Sequence, residues 1–186
     1  PTQWRAFFNT YNNPGNGFQM DSGGSSNYRF YAHAGNGSFG ANSLKSTWVH
    51  LAVVAGSSQT KLYYNGVLMS TNNWVETDWN QIEIGRNRNA DRPGNYFLDE
   101  VRVWDVALSQ ADIQSWMHKP LSSSHPNYSD LQVYFQMNSN SISGGNSPHT
   151  VKQPVADDGE SPNARREAMR NQKGHCMYHL RHYNVT

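Results

Sequence analysis

The chain has a single cysteine, Cys176, in 186 residues, so no internal disulfide can brace its fold. That removes one marker of an oxidising compartment without arguing against secretion. Charged residues are scarce, at 16%, and nearly cancel to a net charge of +1. No global field therefore steers the protein to nucleic acid or to an anionic membrane. A run of about 18 apolar residues, the length a membrane-spanning helix needs, does not occur. The sequence opens at Pro1 with neither a starting Met nor a signal-peptide pattern. We expect a processed or excised piece of a longer parent chain that carries other domains. The length allows one domain with a real core and does not comfortably allow two.

Hydrophobic residues make up 36% of the chain and aromatics 12%, while Asn, Ser and Gly are abundant. Strands joined by many polar turns produce that balance, because aromatics suit a pleated surface and Gly and Asn suit positive-φ turn positions. A helical protein would carry more Ala, Glu, Lys and Leu. Alternation predicts strands at Trp4–Thr10, Gly17–Asp21, Tyr28–Ala34, Trp48–Ala55, Gln81–Gly85, Tyr96–Trp104 and Leu131–Met137. Gly35–Asn42 reads as a glycine-rich loop and Arg86–Asn95 as a polar loop. In the Trp48–Ala55 segment Val49, Leu51 and Val53 share one face, opposite Trp48, His50 and Ala52. Trp48 and Trp104 are expected in the core. Lys61–Met69 reads as a hairpin around Asn65-Gly66, the two positive-φ residues of a type I′ turn. That register sets Tyr64 against Val67, Tyr63 against Leu68 and Leu62 against Met69. Both faces are apolar, so we expect part of the hairpin to be buried on two sides. Ser109–Trp116 reads as one short helix with Ser109 as N-cap and Asp112 three residues on.

From about Asn138 the apolar period ends. Pro148, Pro154 and Pro162 interrupt any long helix before Asn163. Ala164–Tyr178 has the composition of a helix but only a thin apolar stripe. We therefore expect residues 138–186 to form a poorly structured tail that adds little to the core, and residues 1–137 to form the domain.

Four segments in order, WVHLAVV, KLYYNGVLM, IEIGRN and YFLDEVRVWDVALSQADI, resemble successive strands of laminin-G-like, pentraxin-like domains of the concanavalin A-like lectin/glucanase superfamily. The resemblance is specific over Trp48–Ile113 and weaker over residues 1 to 137. It implies an all-β fold, an antiparallel jelly-roll β-sandwich with one short helix. It also implies a secreted or cell-surface protein. Members of this family carry further strands before the position of Trp4. LQVYFQM resembles the strand that opens such domains, and here it either pairs at the missing edge or begins a second copy.

Laminarinase-type glycosidases share this fold, and their chemistry needs two carboxyls projecting from alternate positions of one strand into one cleft. The nearest pattern is Glu76-Thr-Asp78 with Glu83 beyond it, and Glu83 falls on the wrong parity. No Ser-His-Asp order, phosphate loop or HExxH motif is present, so we expect no enzyme. Asp99-Glu100 is the more informative pair. Alternation puts Asp99 on the Val101/Val103 face and Glu100 with Arg102 and Trp104, where an acid must find donors or a metal. Structural pairing ranks first for it, ligand contact second. Asn87, Asp91 and Asn95, with Asp99, are the oxygen donors for calcium, the one cofactor the resemblance allows. A plain solvated loop ranks ahead of that site, because its acid sits among arginines. Trp74, Trp79 and Tyr96 are loop-proximal aromatics that could stack on sugars, although edge packing is the blander reading of each. His175, Cys176, His179 and His182 include zinc-ligand types, in a setting that favours an accidental cluster. Asn36, Asn127 and Asn184 head N-glycosylation sequons, meaningful only in a eukaryotic secretory pathway. The expected function is non-catalytic recognition of an extracellular glycan or protein, with a spacer or adhesion domain as the alternative.

Overall fold

A computed structural model describes residues 5–10, 17–22, 27–32, 35–41, 48–75, 83–84, 96–136 and 177–184. Eleven strands lie among them: β1 Arg5–Asn9, β2 Phe18–Ser22, β3 Asn27–Ala32, β4 Asn36–Ala41, β5 Trp48–Ala55, β6 Thr60–Tyr64, β7 Val67–Asn72, β8 Glu83–Ile84, β9 Tyr96–Trp104, β10 Leu131–Phe135 and β11 Met177–Asn184. One α-helix, α1 Gln110–Trp116, and a 3-10 turn at Tyr128–Asp130 follow β9. The strands form two antiparallel sheets, of order β4-β3-β2-β1-β8 and β10-β9-β11-β5-β6-β7. The expected all-β, antiparallel sandwich with one short helix is the observed class.

Period-2 alternation explains how the sheets face each other. Phe8, Phe18, Met20, Tyr28, Phe30 and Phe39 from the five-stranded sheet meet Val49, Leu51, Val53, Leu62, Val101 and Val103 from the six-stranded one. Stacked rings run through this layer, with Phe18 lying 5.8 Å from Phe8 and 4.7 Å from Phe30, centroid to centroid. The six-stranded sheet is also covered on its outer face. There Ala52, Val54, Tyr63, Trp104, Leu131 and Tyr134 pack with Leu108, Ile113 and Leu121 from α1 and its flanks. This is why WVHLAVV reads as apolar at nearly every position.

Helix α1 starts where its sequence predicts. The Ser109 side chain accepts from the Asp112 backbone N–H and the Asp112 carboxylate accepts from the Ser109 N–H, a reciprocal capping box. Ile113 is its buried residue. The hairpin turn is also as read, with Asn65 at φ 48° and Gly66 at φ 74°. Gly66 has a second constraint: a Cβ there would lie 2.8 Å from the Gln114 side chain, so the turn tip tucks under α1.

Several expectations are corrected. Gly35–Asn42 is not a loop, since Asn36–Ala41 forms edge strand β4, paired to β3. Small residues let it sit there, because a Cβ on Gly37 would fall 2.6 Å from Leu62 of the opposite sheet. Tyr64 and Tyr63 do face Val67 and Leu68, but a register shift sets Leu62 against Ser70 rather than Met69. Strand β7 is an edge, and Val67, Leu68 and Met69 are exposed, so only the β6 arm of the hairpin is buried on both sides. Trp104 is in the core, whereas Trp48 is 48% exposed. β10 takes the edge position beside β9, one of the two placements open to LQVYFQM.

The largest correction concerns the tail. Met177–Asn184 is strand β11, paired antiparallel to β5 on one side and β9 on the other, so the last part of the tail lies inside the six-stranded sheet. Met177 and Tyr178, read as the end of a helix, belong to this strand. Alternating Tyr178, Leu180 and His182 carries a strand pattern that a search for long apolar periods passes over. Residues 137–176 lie outside the described residues.

Leu62→Ala should cost about 2–5 kcal/mol, as a fully buried Leu between two layers does. Gly66→Ala should destabilise as well, by about 1–2 kcal/mol from the positive φ alone, with crowding of Gln114 in addition. Urea denaturation followed by tryptophan emission measures both. Parental midpoints for the two variants would rule out this hairpin register.

Candidate functional site

Two polar assemblies stand out against the apolar layers. The first is built around a bulge in β9. Asp99 pairs with Arg181 and Arg102 with His179, so Glu100 and Val101 together oppose Leu180. The extra residue, Glu100, takes φ 55°, costly for a side chain with a Cβ. What holds it is its carboxylate. Glu100 forms an ion pair with Arg102, whose Nε also donates to it at 3.1 Å. The Tyr134 hydroxyl lies 2.9 Å from each Glu100 oxygen. Arg102, 0% exposed, spends its remaining donors on the Trp116 carbonyl at 3.2 Å and the Lys119 carbonyl at 2.6 Å. Burial, ahead of the neighbouring carboxylate, pushes the Tyr134 phenol above its ordinary value.

The bulge also resets parity. Leu98 packs on the inter-sheet core with Val101 and Val103, an odd separation that unbroken alternation forbids. Asp99 is therefore not on the core face, contrary to the alternation that set it with Val101 and Val103. Asp99 is half-buried.

The second assembly crosses the outer face of the five-stranded sheet. Phe18 and Met20 point inward, so Gln19 and Asp21 point outward. Cross-strand partners share a face, which extends the rows. One row runs Glu83, Asn9, Gln19, Tyr31, Asn36, and the next holds Asp21, Arg29 and Ser38. Asn9 donates to the Glu83 carboxylate at 2.8 Å. Gln19 donates to Asp21, and Arg29 grips the same carboxylate with two bonds of 3.0 and 2.8 Å. The Arg29 guanidinium also lies 5.0 Å from the Tyr31 ring centre. Asn9, Gln19 and Asp21 are buried, Arg29, Tyr31 and Glu83 half-buried, and Asn36 and Ser38 exposed. Hydrogen-bonding groups held by one another grade outward into an accessible edge around one aromatic ring.

The residues singled out from sequence do not come together as one site. Trp74 is half-buried and stacks 5.3 Å from Phe30, over Gly35, where a Cβ would fall 2.4 Å from its indole nitrogen. It seals one edge of the sandwich. Glu100 is buried and bonded to Arg102 and Tyr134. Tyr96 opens β9 opposite Asn184. Trp79, Asn87, Asp91 and Asn95 lie outside the described residues, as do Glu76, Asp78, His175 and Cys176. Among the described residues no group of three His, Cys, Asp or Glu is placed to hold a metal ion. Asn9, Gln19, Asp21, Arg29 and Tyr31 were missed. Their signal was polar side chains at alternate positions of apolar strands, as in FQMDS and NYRFYA, which mark a second, polar face.

An open cleft of about 510 Å³ lies elsewhere, between the β5–β6 turn and the start of α1. Gln59, Lys61, Tyr63, Leu68, Leu108 and Gln110 are among the residues lining it.

Two facing antiparallel sheets with a polar outer face define a β-sandwich of the lectin and glucanase type. The chain belongs to the Laminin_G_3 family of the concanavalin A-like lectin/glucanases superfamily, whose sequence model it matches over residues 1–114. No curated protein and no solved structure matches it.

Removing Arg102 tests the first assembly. Arg102→Ala should cost about 3–5 kcal/mol, because it leaves Glu100 buried without its cation. Tyr134→Phe should cost about 1–2 kcal/mol, since one partner of the carboxylate remains. Chemical denaturation of both variants and the double variant gives the coupling. Additive losses would mean that the three groups do not act together.

Proposed function

We propose that this domain is a non-catalytic recognition module that binds a glycan on the outer face of its five-stranded sheet. The observation that carries the proposal is the accessible part of that face, Glu83, Arg29, Tyr31, Asn36 and Ser38, with Glu83 and Arg29 fixed by the buried Asn9 and Asp21. Sugars present hydroxyls in a ring plane and C–H groups on its faces. Amide and carboxylate groups read the former and a Tyr ring covers the latter. Side chains already fixed by mutual hydrogen bonds lose little freedom on binding.

The same groups argue for binding without turnover. Glycoside hydrolysis uses two carboxyls, one of them a proton donor, across the scissile bond. Here Glu83 and Asp21 sit on β8 and β2 with β1 between, roughly 10 Å apart across the strands. Each is engaged, Glu83 by Asn9 and Asp21 by Gln19 and Arg29. A secreted or cell-surface setting suits such a module, as one domain of a longer chain.

A glycan array, run with calcium and with a chelator, tests the proposal. Binding should be detected, and Tyr31→Ala or Asn36→Ala should weaken it by about 2–10-fold, the equivalent of a contact worth roughly 0.5–1.5 kcal/mol. Absence of binding under both conditions would favour the spacer reading. Release of sugar products that stops in Asp21→Asn or Glu83→Gln would make the domain an enzyme.

A further inference from the structure

The outer layer of the six-stranded sheet contains a histidine in an unusual position. His125, 3% exposed, lies between two indoles, 5.5 Å from the Trp104 centroid and 4.9 Å from that of Trp116. Trp104 belongs to β9, and Trp116 ends α1. The imidazole thus fills the joint between the sheet and the helix that covers it. Its Nδ1 accepts from the Asn127 backbone N–H at 3.0 Å. The neutral ring must therefore carry its proton on Nε2, which is buried with no hydrogen-bond partner. The turn around it is tight: the His125 N–H donates to the Ser122 carbonyl and the Tyr128 N–H to the His125 carbonyl, each at 3.0 Å.

We propose that His125 is an acid-sensitive latch, and that protonation of its imidazole frees helix α1 and the 117–130 segment from the sheet. Adding a proton to Nδ1 converts the acceptor of the Asn127 N–H into a second donor facing it. The bond is lost, and a cation is left between two rings without a bonded acceptor at Nε2. Charged groups stand near the ring on several elements. Arg102 stands on β9 with its partner Glu100, Asp112 on α1, Asp130 on the 3-10 turn, and Lys119 over the Trp116 ring at 5.3 Å. Burial first, then Arg102, lowers the His125 pKa from its ordinary 6.5, and Asp112 and Asp130 only partly oppose them.

The sign follows from linkage. A released ring takes up a proton near pH 6.5 and a latched one only at lower pH. The latched state is therefore fully favoured above about pH 6.5. Below it, the released population grows by up to about tenfold per pH unit until the latched ring also titrates. Release would free the Leu108–Gln110 wall of the cleft beside α1.

Imidazole nitrogen and carbon shifts of the intact chain, followed from pH 8 to pH 4.5, provide the direct test. His125 should show the Nε2–H tautomer and a midpoint below 6.5. Over the same range, tryptophan emission should change and protease should cut within 117–130 faster at pH 5.5 than at pH 7.5. Both responses should be lost in His125→Phe, which keeps a ring between the indoles, while the other seven histidines remain. An Nδ1–H tautomer, a midpoint at or above 6.5, or an unchanged acid response in His125→Phe would overturn the proposal. Because the shifts are read on the parent chain, the test survives a variant that fails to fold.

Discussion

Arg102 has no access to solvent, and that constraint organises everything above the six-stranded sheet. A buried guanidinium must satisfy its donors within the protein. It does so with one carboxylate and two backbone carbonyls: Glu100 from the bulge in β9, the Trp116 carbonyl from the last residue of α1 and the Lys119 carbonyl from the turn that follows it. Tyr134 closes the network from β10, its ring beneath the guanidinium at 5.6 Å and its hydroxyl also reached by the Leu121 N–H at 3.4 Å. The arginine thus specifies where α1 stops and how the following segment turns back. A hydrophobic residue could fill the same volume, but it would not choose between alternative placements of the helix.

The bulge is the local consequence. A residue at φ 55° is unfavourable for Glu, and Gly would adopt it at no steric cost. Glu stands there because the network needs its carboxylate more than the backbone needs Gly. The extra residue also turns Leu98 into the inter-sheet core and leaves Asp99 off it, so one feature sets both the polar layer and the apolar packing on its reverse.

What was legible in the sequence divides along physical lines. Local chemistry was readable: the Asn65-Gly66 turn, the Ser109/Asp112 capping box and the two faces of WVHLAVV each depend on residues a few positions apart. Non-local facts were not. Nothing in NGSFGA marks a strand, because its fitness for β4 lies in Gly37 accommodating Leu62 from the other sheet. The place of MYHLRHYN between β5 and β9 is a matter of pairing across the sheet, invisible to a local period. The exposure of Trp48 likewise depends on where its strand ends. Of the loop-proximal aromatics, Trp74 packs an edge against Phe30 and Gly35, a neighbourhood that its local sequence does not announce. The polar parity of FQMDS and NYRFYA predicts a second, polar face without predicting its neighbours.

That polar face bears on how one fold serves both binding and hydrolysis. The scaffold supplies alternate outward positions on neighbouring strands, and chemistry depends on which of them hold acids and how those acids are partnered. Two carboxyls converging on one bond, with one kept protonated, make a hydrolase. Here a strand separates Asp21 from Glu83, and each is held by an amide, with Arg29 added at Asp21. Arg29 and Gln19 fix both oxygens of the Asp21 carboxylate in place. On this face the carboxylates tie side chains of neighbouring strands into one fixed network, Glu83 to Asn9 across β8 and β1 and Asp21 to Arg29 across β2 and β3.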